Sequence, residues 1–226
     1  MKFKNNSQKI ILNKLHKLRR IELAKKWLET SLDWSRTIFT DEKKFNLDGP
    51  DSWRSWMYDD EEISRNRRQM GGGGLMVWRM IMPHGEVVVF RVIGGINSQY
   101  YTDFLETKAF PLIHDRFVEQ QFIFQQDNAP IHVSSHSREW FSNHNVELLE
   151  WPSRSPDLNP MENVWKMLTD LVYDGPSYGS IDDLMEAIEI AVSNLNTNRV
   201  DTLRSLVSGM NGRLLKVIEK KGNIIS

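Results

Sequence analysis

Apolar and polar positions change period several times along the chain. From residue 8 to 32, Ile11, Leu15, Leu18, Ile21/Glu22 and Lys25 recur at a helical spacing with basic residues between them, which predicts a helix. Arg36 to Leu47 alternates instead. Phe39, Asp41, Lys43, Phe45 and Leu47 fall on one face of a strand, and Ile38, Thr40, Glu42, Lys44 and Asn46 on the other. Asp48-Gly-Pro50 opens a long loop, residues 48–74. Leu75–Met82 and Glu86–Ile93 are apolar runs joined by Pro83-His-Gly85, a hairpin signature. Ser98 to Phe117 reads as an amphipathic helix with Ser98 as its N-cap. A short apolar strand from Phe122 climbs to Asp127 and breaks at Pro130; a helix over 133–144 and a short strand over Val146–Leu149 follow. The proline-punctuated stretch Glu150–Pro160 then enters a helix, with Asn159 as N-cap and Pro160 at the first helical position. Two further helical stretches cover roughly 180–195 and 198–219, the first opened by Ser180-Ile-Asp-Asp183. Early strands joined by a hairpin and later strands separated by helices predict an α/β fold, a mixed sheet with helices on its faces.

Three acids stand out against this framework. Asp41 sits between aromatics on the more apolar face of its strand, a costly position unless it is paired, protonated or metal-bound. A salt bridge to Lys43 or Lys44 is the bland alternative. Asp127 shares a strand face with Ile123 and Gln125 and stands at the carboxyl end, where open α/β sheets place their ligands. Glu162 follows with 34 residues between, in the first turn of a helix. It is also three residues after Asn159, where a capping-box glutamate would sit. Acids from three rigid elements suit hard divalent cations and phosphodiester chemistry. With 30 acids in the chain, the spacing alone carries little weight. Asn128 suits the turn before Pro130, and His132 lies close by.

Composition narrows the classes. A chain of 226 residues, 40% hydrophobic and 26% charged, suits one globular domain with or without appendages. No run approaches the ~18 apolar residues of a membrane helix, and the start Met-Lys-Phe-Lys lacks a signal-peptide apolar core. The absence of cysteine excludes disulfides, zinc-thiolate sites and cysteine nucleophiles. The net charge of −1 is unevenly spread: residues 1–26 hold nine Lys/Arg and one acid, leaving an acidic body. A basic arm before an acidic body is one pattern of nucleic-acid binding, although a solvated helix face explains it equally well. In the 48–74 loop, Trp53, Trp56 and Tyr58 precede an acidic cluster, a basic cluster at Arg65–Arg68 and the run Gly71–Gly74. Such aromatics with arginines suit stacking on a nucleic acid or a partner. The glycines read as a hinge, since no Gly-Lys-Ser/Thr follows.

The local wording is more specific than any of this. Asp127-Asn-Ala-Pro-Ile-His132, Glu150-Trp-Pro152 and Ser155-Pro-Asp-Leu-Asn-Pro-Met-Glu-Asn-Val-Trp165 closely resemble the Tc/mariner DNA transposases. Phe39-Thr-Asp-Glu-Lys-Lys-Phe-Asn-Leu-Asp-Gly-Pro50 resembles the first acidic motif of that superfamily, nearest its nematode Tc branch, and the glycine run into Leu75-Met-Val-Trp78 also matches. The resemblance runs from about residue 10 to the end. It implies an RNase H-like, five-stranded mixed sheet, with a basic helical arm (1–32), a catalytic core (33–175) and C-terminal helices packed on it (176–226). It implies a three-carboxylate site, Asp41, Asp127 and Glu162, that binds two Mg²⁺ or Mn²⁺ ions, cleaves DNA at transposon ends and transfers the freed 3′-hydroxyl to target DNA. A homodimer on double-stranded DNA, contacts of the 48–74 loop with the second subunit, and a nuclear location are implied with it. Such transposases carry N-terminal helix-turn-helix modules that this chain starts too late to contain. Where the family usually has glycine after the Val77-Trp78 tryptophan, this chain has Arg79, a long charge that would disturb the sheet or point to solvent. The alternative reading is an inactive or domesticated remnant that binds DNA or protein at most. A nuclease for RNA–DNA hybrids would fit the fold but not the wording of Ser155–Trp165.

Overall fold

A computed structural model describes residues 2–3, 11–50, 56–57, 73–117, 121–175 and 177–225. Most of the 48–74 loop, with Trp53, Tyr58, the charged clusters and Gly71, lies outside the described residues, as does the start of the arm. Within the loop, the backbone of Trp56–Met57 pairs antiparallel with Lys2–Phe3.

The central sheet has five strands: β1 (Thr37–Asn46), β2 (Gly74–Ile81), β3 (Val87–Val92), β4 (Ile123–Gln125) and β5 (Glu147–Leu148). Their order is β3-β2-β1-β4-β5; the β1–β2 and β2–β3 pairs are antiparallel and the β1–β4 and β4–β5 pairs parallel. The mixed five-stranded α/β sheet expected from the sequence is therefore present. The β2–β3 hairpin turns at Gly85, which has φ +94° and whose missing Cβ would stand 2.7 Å from the Val200 carbonyl, so only glycine fits that turn.

Strand alternation sends the two faces into two cores. Phe39, Phe45, Leu75, Val77, Ile81 and Ile123 join one core with α1 (Lys14–Glu29), α5 (Pro160–Val172), α6 (Ile181–Asn198), α7 (Val200–Ser208) and α8 (Met210–Glu219). Ile38, Trp78, Met80, Val92 and Phe124 join the other with α2 (Ser98–Phe104), α3 (Phe110–Arg116) and α4 (Ser135–Asn143). The face assignment for β1 follows the sequence pattern. Helices α2 and α3 are one helix interrupted by a π turn at Leu105–Ala109. Pro111 explains the interruption: it lacks the N–H that the Thr107 carbonyl would receive, and the wider turn absorbs the misfit. The cap of α2 is Asn97, which accepts from Tyr100 N–H at 2.8 Å, and not Ser98. The single helix expected over 198–219 is two, broken at Gly209.

The first helix departs most from the sequence reading. It begins at Lys14, behind the capping residue Asn13. Its buried residues are Arg20, Leu23, Ala24 and Trp27, while Ile11, Leu15 and Leu18 of the expected apolar stripe are exposed. The face is chosen by what it packs against. Arg20, fully buried, gives Asp157 a bidentate pair (2.8 and 2.6 Å) and donates to the Gly222 and Asn223 carbonyls at 3.0 and 3.2 Å. Asp157 also accepts the Ile225 N–H at 2.8 Å. Gly222, at φ +78°, packs so closely on the Lys17 backbone that no side chain fits. Arg20 thus ties α1, the C-terminal tail and the loop before α5 into one unit, a geometry for which arginine's planar fork is suited.

Candidate active site

The three acids converge because of strand register and one helix cap. Parallel pairing aligns Phe39 with Gln125, so two residues further on Asp41 and Asp127 lie side by side past the end of β4. Strand β4 ends at Gln125, so Asp127 stands two residues beyond it instead of closing it. On the other side, α5 starts against β1. Asn159 caps it, accepting from Met161 N–H at 3.0 Å, and its Nδ2 reaches the Thr40 carbonyl at 3.5 Å, which fixes the helix start beside Asp41. The reciprocal half of a capping box is absent, because the Asn159 N–H donates to the Pro156 carbonyl instead. The Glu162 carboxylate is therefore not used as a cap. One cavity of about 400 Å³ is lined by Asp41, Asp127 and Glu162 together with Asn128, Asn159 and residues 151–156.

Each acid has its own electrostatic setting. Burial raises the Asp41 carboxyl to about 7, against the lowering effect of a 2.8 Å hydrogen bond from Trp165 Nε1; Glu42 and Glu162 push the same way as burial, and Arg79 opposes them. The indole N–H of Trp165 holds Asp41 here, and the Arg79 charge acts on it in the same direction. Glu162 is reached by solvent yet crowded enough that burial raises it, with Lys43 and Arg79 pulling it down. Asp127 is held below its ordinary value chiefly by the 2.7 Å hydrogen bond from His132 Nδ1, helped by the Ala129 N–H at 2.8 Å. The turn is thus capped by Asp127 itself. Asn128, expected to serve that turn, reaches across to the Trp151 carbonyl at 2.8 Å and ties the two sides of the cavity together.

His132 is 2% exposed and packs against Tyr101, with ring centroids 4.6 Å apart and the planes tilted by 43°. Burial pushes its pKa down, but Asp127 and Glu42 outweigh that and raise it to about 9. Its Nε2 lies 3.3 Å from Glu42, an ion-pair distance without hydrogen-bond alignment. Sequence reasoning gave His132 no role; the structure makes it the group that orients Asp127. Trp165, legible in the sequence only as the end of the Ser155–Trp165 motif, gains its role at Asp41 from standing one helical turn after Glu162, on the face that meets β1. Arg79 neither disturbs the strand ladder nor reaches solvent. It pairs with Asp41 in the β1–β2 register, is fully buried, donates to the Met161 carbonyl at 2.6 Å and lies 3.4 Å over the Trp165 ring.

Hard oxygens from three elements around one cavity are a donor set that suits Mg²⁺ or Mn²⁺, and a buried carboxyl raised to about 7 is one that a cation would relieve. Among the described residues, no three carboxylate or imidazole groups already stand close enough to grip one ion. A second cavity of about 310 Å³ adjoins the first through Asp127, Asn128, Trp151 and Ser153 and is bordered by Arg19 and Arg138. Acids at the centre and arginines at the rim fit a polyanion whose reacting group is brought in by cations.

Residues 36–185 match the family described as DDE superfamily endonuclease. The chain belongs to the DDE endonuclease superfamily. Within it, the chain is 39% identical over 219 residues to the Tc3 transposase of Caenorhabditis elegans, covering 96% of this chain and 65% of that one. It is 31% identical over 229 residues to the Tcb2 transposase of Caenorhabditis briggsae, covering 96% and 80%. The chain therefore spans just under two thirds of the length of the first relative. A crystal structure of the Mos1 mariner paired-end complex with Mn superposes with a TM-score of 0.79 at 18% identity, covering all of this chain and 68% of that one. That likeness is one of fold, and it places the DDE domain on an RNase H-like scaffold. All three acids lie inside the matched 36–185 segment.

Proposed function

We propose that this chain is the catalytic domain of a Tc/mariner-type transposase, which cleaves DNA at transposon ends and joins the freed 3′-hydroxyl to target DNA. The observation that carries the reading is the gathering of Asp41, Asp127 and Glu162, from a strand, a post-strand turn and a helix start, around one cavity in a chain of the DDE family. The alternative of an inactive remnant is not favoured, because all three acids and the groups that orient them are in place.

Asp41, Asp127 and Glu162 would hold two Mg²⁺ or Mn²⁺ ions, whose bound charge would stabilise the attacking and leaving oxygens of a phosphodiester exchange. The chain's own contribution is positioning. Trp165 fixes Asp41 with its indole N–H, and His132 with the Ala129 N–H fixes Asp127. The α5 N-terminus presents Glu162 from a rigid helix. Arg19 and Arg138 at the neighbouring rim would steady backbone phosphates. Without cations the three carboxylates would repel a phosphodiester, so metal and DNA should bind cooperatively. The relatives named as transposases, and the Mos1 paired-end complex with a left transposon end, support transposon-end DNA as the substrate; in this reading the DNA is double-stranded and the working form is a homodimer. A nuclear location goes with that substrate.

Isothermal titration of the folded domain with Mn²⁺ tests the site. Asp41→Asn, Asp127→Asn and Glu162→Gln should each weaken binding severely with the fold retained. Unchanged affinity in any two of them would refute the three-acid assignment.

A further inference from the structure

The cavity does not explain Arg79. Its guanidinium is fully buried, on the strand face shared by Val77 and Ile81, and it does not line the cavity. One of its nitrogens donates to the Met161 carbonyl, immediately before Glu162. Its Nε and Nη1 are buried and have no hydrogen-bond partner among the described residues. The plane lies on Trp165, and the same indole donates to Asp41. Asp41 is its cross-strand neighbour. A buried cation is costly unless anions balance it. Burial pushes the Arg79 guanidinium well below its ordinary value; the neighbouring anions that oppose this are Asp41, across the strand pair, and Glu162, next to the Met161 carbonyl that Arg79 holds.

We infer that Arg79 is a built-in counter-cation for Asp41 and Glu162, which holds that half of the site together without metal and lowers its affinity for divalent ions. The inference rests on the reading of these acids as metal ligands. A guanidinium keeps its charge in proteins, so it competes with an incoming cation for the same two carboxylates instead of adding a ligand. Because the guanidinium is fully buried and does not line the cavity, it acts through Asp41 and Glu162 and is a positioning residue, not one that meets DNA. Met at this position would keep an unbranched side chain against the indole while removing the charge and the hydrogen bond to the Met161 carbonyl; Gln removes the charge but keeps a donor.

The test is Mn²⁺ titration and thermal unfolding, with and without Mn²⁺, of the native chain, Arg79→Met, Arg79→Gln and Arg79→Lys. The neutral variants should bind Mn²⁺ at least about tenfold more tightly. A unit cation about 10 Å from a divalent ion changes affinity by more than that even at an effective dielectric near 20. At pH 8, where Asp41 is charged in the fold, they should also melt lower than the native chain without metal and gain more from its addition, while Arg79→Lys should stay close to native in both. If a neutral variant folds only with Mn²⁺ present, the inference stands; if it stays unfolded in saturating Mn²⁺, a metal cannot replace the guanidinium and the inference falls. It falls equally if the neutral variants bind Mn²⁺ with native or weaker affinity. If the native chain and every variant fail to bind Mn²⁺, the metal assignment itself fails, which the titration separates from the other outcomes.

Discussion

Asp41 should make the metal-free protein less stable as pH rises, the reverse of the usual carboxylate effect. Its carboxyl ionises at 3.8 in an unperturbed chain and at about 7 in the fold, where burial is the main cause. Between those values the folded state keeps a proton that the unfolded state has released. Stability therefore falls with rising pH across that window, at up to about 1.36 kcal/mol per unit. Asp41→Asn is nearly isosteric, can still accept from Trp165 Nε1 and cannot ionise. Near pH 4, Asp41 is neutral in the fold and the two proteins should differ little. By pH 8 the variant should have gained about 4 kcal/mol relative to the native chain, as an upper figure, since local relaxation and water reduce it. Taking the difference between the two proteins cancels the titrating groups that do not sense Asp41, leaving Asp41 and its neighbours Glu42 and Glu162. Urea unfolding in EDTA at half-unit steps from pH 4.5 to 8 reads it directly, and saturating Mn²⁺ should reverse the order at pH 8. Parallel stability curves for the two proteins would show that Asp41 ionises freely and would refute the argument from burial.

Three further outcomes follow from the same contacts. Arg20→Met leaves Asp157 without its bidentate partner and should cost about 3–5 kcal/mol in urea unfolding, the range for breaking a buried pair; a loss below about 1 kcal/mol would mean the tail does not hold the loop before α5. His132 is raised to about 9, so its charged form stabilises the fold fully below 6.5 and that stability is lost as pH rises through 9; its ring resonances should titrate there by NMR, and Asp127→Asn should bring the midpoint down. Glu162→Gln should change stability by less than about 1 kcal/mol, because Asn159 alone caps α5, while metal-dependent cleavage is lost; equal cleavage would assign Glu162 no chemical role.

The strands and the acids were legible because strand alternation and helix caps are local signals. Period-two alternation placed Asp41 with Phe39 and Phe45 on the face that meets α5, and Asn159-Pro160 marked the start of α5. What the sequence hid depends on distant partners. The arm's apolar spacing pointed to Ile11, Leu15 and Leu18, but the face that packs is set by Arg20 reaching Asp157 and residues 222–223, far along the chain. Arg79 shares parity with Val77 and Ile81, so its burial could have been read. That a charge would be tolerated there could not, because its compensation comes from Trp165, Asp41 and Glu162 on other elements. The π turn before Pro111 shows the same limit on a smaller scale: Ser98 to Phe117 reads as one helix, and its apolar spacing does not tell that a wider turn at Leu105–Ala109 absorbs the proline.

The central claim is that Asp41, Asp127 and Glu162 form a cation site that cuts DNA. Incubation of the folded chain and its Asp127→Ala variant with a generic DNA duplex and Mn²⁺ tests it most directly. The account expects strand cleavage by the native chain alone. Equal cutting by both would contradict the site, and no cutting by either folded protein would return the chain to the reading of an inactive remnant.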